Sequence, residues 1–168
     1  TMETETNNYL DLRQLQAIYK QLSVASSLAK EENYEIPLQL GEEITSINLK
    51  IVHSSKEKAE VRITMETDTF GKVDARFEDT PDGLEGSVLT DYMDGKEQLQ
   101  AYSDRLQKAI ENVLQDTKTE LKSLFFGVNE KLDINSLTKG EKDKNMDVSL
   151  LYKVAKEFIY YVKDIKEA

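Results

Sequence analysis

Apolar and polar positions change period several times along the chain, and each period predicts an element. Residues 1–8 are polar and are expected to form a disordered tail. Leu12, Leu15, Tyr19 and Leu22 then recur at three- and four-residue steps, and Ala25, Leu28 and Ala29 extend the stripe. That spacing predicts an amphipathic helix over residues 9–31, with Asn8 as its cap. Pro37 and Gly41 mark the change of period. Ile47, Leu49 and Ile51 alternate with Ser46, Asn48 and Lys50, which predicts a half-buried strand over 44–52.

After a polar turn at residues 53–57, Val61, Ile63 and Met65 alternate with Arg62, Thr64 and Glu66. Val73, Ala75 and Phe77 do the same against Lys72, Asp74 and Arg76. These six apolar residues are expected to share one buried face, since alternate residues of a strand point the same way. Asp79-Thr80-Pro81-Asp82-Gly83 has turn chemistry, because Pro presets φ and Gly accepts positive φ. Residues 84–89 form a weaker strand broken by Gly86.

Asp94 and Glu97 fit a capping box, and Leu99, Tyr102, Leu106, Ile110 and Val113 predict one helix to about residue 115. Residues 121–128 read as a last strand, 129–147 as a charged loop, and Leu151, Val154, Phe158, Val162 and Ile165 as the stripe of a terminal helix over 148–166. Strands grouped between helices indicate an α+β fold in a single domain over 9–168. The expectation is an antiparallel sheet of about four to five strands packed by about three helices.

Composition narrows the chemistry. The chain has 168 residues, one His, no Cys and a net charge of −10. Lack of Cys removes disulfides, thiolate metal sites and a Cys nucleophile, and a single His removes two-His metal motifs. An acidic chain is a poor match for nucleic acid phosphates or anionic lipid. No apolar run approaches the ~18 residues of a membrane span. His53 sits beside Ser54 and Ser55, but neighbours on a strand face opposite ways, so it reads as a surface turn residue. Glu66 with Asp68, and Asp74 with Glu78, have no apolar cradle and read as solvated acids. The Asp79–Gly83 stretch lacks the order of a calcium loop, and the glycines are too scattered for a phosphate loop. No cofactor or metal is expected, and the chain reads as non-enzymatic. The opening Thr1-Met2-Glu3-Thr4 reads as an internal cut and carries no signal-type segment.

Residues 63–77 carry a more specific pattern. Ile63 and Met65, then Phe70-Gly71, then Val73, Ala75 and Phe77 resemble the signature of the C-terminal domain of flagellar hook-length control proteins. That signature is apolar-x-apolar-x-Pro-x-x-Leu-Gly-x-Val-x-Val-x-apolar. Residues 84–89, 104–110 and 121–128 look similar to the strand, helix and strand that follow it. The resemblance covers about residues 44–128, and Thr67 departs from it by standing where the family has Pro. It implies a non-catalytic protein-recognition domain that switches export specificity. Its implied partner is the cytoplasmic domain of the flagellar export switch protein, and its implied location is the cytoplasm or the flagellar export path. The alternative is a small-ligand module with an apolar pocket between sheet and terminal helix, lined by Tyr152, Phe158, Tyr160 and Tyr161. Helical stripes of this kind more often fill a core.

Overall fold

The computed structural model describes residues 33–55, 57–135 and 148–167, so the helix expected over 9–31 lies outside the described residues. One mixed sheet organises the chain. Its strands are β1 (Asn33–Leu40), β2 (Glu43–His53), β3 (Ala59–Thr67), β4 (Gly71–Thr80), β5 (Gly83–Thr90) and β6 (Leu121–Val128). They lie in space in the order of the chain. Helices α1 (Met93–Gln100) and α2 (Ser103–Leu114) carry the chain from β5 to β6, and α3 (Ser149–Glu167) follows.

The α+β class is as expected, but the sheet has six strands rather than four to five, and it is not antiparallel throughout. The strand missing from the sequence expectation is β1. Ile36, Leu38 and Leu40 alternate inward along it, and each is at most 3% exposed. Pro37 sits on this edge strand opposite Ser46, where a missing N–H is tolerated. Gly41, at φ +64°, makes the turn into β2. Strands β1 to β5 form an antiparallel meander, whereas β6 runs parallel to β5. Tight turns reverse the chain; a helical crossover returns it to the same end of the sheet, so the strand it delivers is parallel.

The helix expected at 94–115 is two helices separated at Ala101 and Tyr102. Tyr102, expected in the buried stripe, is half-exposed at the break. Asp94 is not the cap: Tyr92 occupies the N-cap position without a side-chain cap bond, and Asp94 lies inside the first turn. The terminal helix matches its expected span to within a residue.

Val61 pairs with Phe77, Ile63 with Ala75 and Met65 with Val73 across β3 and β4, and all six side chains are at most 1% exposed. Helix α3 covers this face with Leu151, Val154, Ala155, Phe158, Ile159 and Val162. The Phe158 ring lies 5.8 Å from Phe77 and 6.0 Å from Tyr161. Tyr152 is buried beside Tyr34, with ring centroids 6.2 Å apart. These aromatics are therefore core, and Tyr160 is half-buried.

The opposite face of the sheet is not simply wet. After β6 the Asn129 N–H donates to the Thr90 carbonyl, Leu132 is buried, and the Asp133 carbonyl accepts from Arg62. This segment crosses the outer face and covers it in part. Asp74, expected in solvent, is fully buried there. His53 belongs to the end of β2, opposite Ala59, rather than to the turn, and is 4% exposed.

Candidate functional site

The motif residues divide by position. Ile63, Met65, Val73, Ala75 and Phe77 belong to the core, while Phe70 and Gly71 form the corner between β3 and β4. Gly71 has φ +72°, and a Cβ there would collide with the Asp91 carboxylate and the Tyr92 ring. Thr67, at the place where the resembling family has Pro, closes the corner by hydrogen bonding. Its Oγ1 accepts from the Phe70 N–H at 2.9 Å and donates to the Gly71 carbonyl at 3.4 Å.

Neighbouring elements clamp this corner from several sides. The Asp91 carboxylate accepts from the Lys72 N–H at 3.0 Å, and the Tyr92 hydroxyl donates to the Thr69 carbonyl. The Glu43 carboxylate accepts from the Asp68 N–H, and Lys166 of α3 donates to the Thr69 hydroxyl. Gly95 lets α1 approach the Phe70 carbonyl so closely that a Cβ would overlap it. The corner is thus a structural joint, and its outward product is the position of α1.

Beside that joint, an open groove of about 480 Å³ is lined by Asp94, Glu97, Gln98, Ala101, Tyr102 and Ile165. It brings together α1, the residue before α2 and the C-terminal end of α3. The Arg105 guanidinium lies 5.1 Å from the centre of the Tyr102 ring, a cation–π contact. Burial, then the nearby Asp94 and Asp91 carboxylates, push the Tyr92 hydroxyl pKa up. The sequence reading used Asp94 and Glu97 as a cap and so missed the groove. The legible signal was the i, i+3, i+4, i+7 spacing of Asp94, Glu97, Gln98 and Ala101 along one side of a short helix.

The outer face of the sheet carries charges in rows. Lys50 pairs with Arg62 and Arg62 with Arg76 across β2, β3 and β4; Glu60 pairs with Glu78 and Glu78 with Glu85 across β3, β4 and β5. Asp74 accepts from Arg62 at 3.0 Å and from Arg76 at 3.1 Å. A carboxylate held by two guanidiniums is a fixed counter-ion. Desolvation pushes the Glu60 carboxyl pKa up; Arg76 opposes this and Glu78 adds to it. Among the described residues, no group of three or more His, Asp or Glu is placed to hold a metal ion. Nor is any described helix long and apolar enough to cross a membrane.

No protein-family model, no curated protein and no solved structure matches the chain.

Proposed function

We propose that the chain is a non-catalytic protein-recognition domain, and specifically an export-specificity switch domain of the hook-length control type. The observation that carries this reading is the unit running from β3 through β6. Its order is strand, corner, strand, strand, two short helices, strand; the resemblance implies the same order with a single helix before the last strand, and Phe70-Gly71 stands at the corner. The departure at Thr67 does not weaken the corner, because its hydroxyl supplies the closing hydrogen bond. The buried carboxylate Asp74 supports a non-catalytic role, since two guanidiniums engage it.

In this reading the partner is the cytoplasmic domain of the flagellar export switch protein, and the domain acts in the cytoplasm or along the export path. The test is calorimetric titration of the full chain with that purified cytoplasmic domain from the same organism. Saturable binding is expected. Absence of saturable binding overturns the reading.

A further inference from the structure

We infer that the groove between α1, the start of α2 and the end of α3 docks a basic amphipathic segment of a partner protein. The inference rests on the protein-recognition reading and names the surface and the partner chemistry. At about 100° per residue, Asp94, Glu97, Gln98 and Ala101 fall on one stripe of α1. Lys96 and Gln100 fall on the far side of the helix, while Gly95 and Leu99 face inward and are buried. The stripe therefore presents two carboxylates and no base.

Those carboxylates are available. The ion pairs of the outer sheet face, Arg62–Asp74 and Arg76–Asp74, do not involve them. Beside the carboxylates, Ala101, Tyr102 and Ile165 supply an apolar lining. Tyr102 is 38% exposed there. Tyrosine is enriched at protein interfaces. Arg105, the base at this rim, lies over the Tyr102 ring, so that ring already accepts a cation.

Charge complementarity selects the occupant. A segment with Lys or Arg spaced among aliphatic residues would set its cations against Asp94 and Glu97 in charge-assisted hydrogen bonds. Its aliphatic side chains would cover Tyr102 and Ile165. An acidic segment would be repelled, and a wholly apolar one would desolvate two carboxylates without compensation. The chain's net charge of −10 favours the same encounter at longer range. The platform is preorganised: α1 is fixed by the Gly95–Phe70 approach, by Tyr92 on Thr69 and by the Tyr161 hydroxyl on the Leu99 carbonyl. Little ordering is needed on docking.

The test is amide chemical-shift mapping on the isotope-labelled full chain. The probe is a synthetic amphipathic peptide of Lys and Leu, with its Glu-and-Leu counterpart as control. Shifts are expected across residues 94–102 and at Ile165 with the Lys peptide only. Asp94→Lys with Glu97→Lys should weaken binding about tenfold or more, and Asp94→Asn with Glu97→Gln should weaken it by less. Both positions are exposed, so an unchanged thermal melt separates lost binding from lost fold. Shifts centred on Glu60, Glu78 and Glu85, or equal binding by the reversed variant, overturn the inference.

A parallel titration with the export switch cytoplasmic domain separates the two readings. Equal binding by wild type and reversed variant would remove the groove and leave the recognition role. Lys-peptide binding at the groove without switch-domain binding would leave the groove and remove the proposed partner.

Discussion

The Arg62 guanidinium and the Asp74 carboxylate meet diagonally across β3 and β4, Nη2 to Oδ2 at 3.0 Å, with side-chain exposures of 4% and 0%. Arg62 stands directly opposite Arg76, an arrangement that alone would be repulsive. Asp74 lies between the two guanidiniums and turns repulsion into a network. Removing it takes away the carboxylate that the buried Arg62 shares with Arg76. Asp74→Ala is expected to cost about 3–5 kcal/mol in urea denaturation. Replacing Arg62 and Asp74 together with Met and Leu should cost less, because both buried charges leave together. A loss under about 1 kcal/mol for Asp74→Ala would instead mean a solvated pair.

Phe77 is fully buried, opposite Gly86 on β5 and 5.8 Å from the Phe158 ring. A Cβ on Gly86 would sit 2.9 Å from the Phe77 ring, so the ring already fills that space. Phe77→Ala is expected to cost about 3–5 kcal/mol through lost burial and the remaining cavity. Thermal melting with matched denaturant curves measures it. The same cavity should loosen α3, visible as faster amide exchange at residues 154–162.

Gly95 tests the joint between the corner and α1. An added methyl would overlap the Phe70 carbonyl, which is backbone and cannot rotate aside. Gly95→Ala should therefore destabilise by about 1–3 kcal/mol despite alanine's better helix propensity. Chemical-shift changes should concentrate at residues 67–71 and 92–102. A neutral or stabilising result would show that α1 shifts freely over the corner.

The Glu60 carboxyl has a raised pKa, caused first by desolvation and opposed by Arg76, with Glu78 and Asp74 raising it and Arg62 lowering it. A carboxyl that binds its proton more tightly in the folded state adds stability that is fully present below its unfolded pKa. That contribution disappears as pH rises through the folded pKa. Asp79 and Glu157 are shifted the same way by burial. Stability measured from about pH 4 to pH 7 should therefore show a component that falls with rising pH. Glu60→Gln should reduce that component. An unchanged pH profile in the variant would exclude Glu60 as its source.

Local pattern determined much of this fold. The alternations in β2, β3 and β4, the weaker β5, the apolar run of β6 and the stripe of α3 were legible because each sets its apolar side chains on one face, and that imposes period two or 3.6. The inward set from Val61 to Phe77 followed directly. The corner at Phe70-Gly71 was legible too, since a positive φ selects glycine. What tertiary structure alone decided depends on neighbours distant in sequence. Pro37 reads as a break until its strand is placed at an edge, where no ladder bond is lost. The parallel entry of β6 follows from the crossover and not from any residue within it. Asp74 alternates like a solvated residue, yet it is fully buried and held by Arg62 and Arg76, and Arg62 in turn reaches the distant Asp133 carbonyl. The groove arises likewise, where Ile165 of α3 comes beside a stripe of α1 far away in the chain. Periodicity reports which side of an element is covered; it does not carry the identity of the segment that covers it, because that is set by long-range packing.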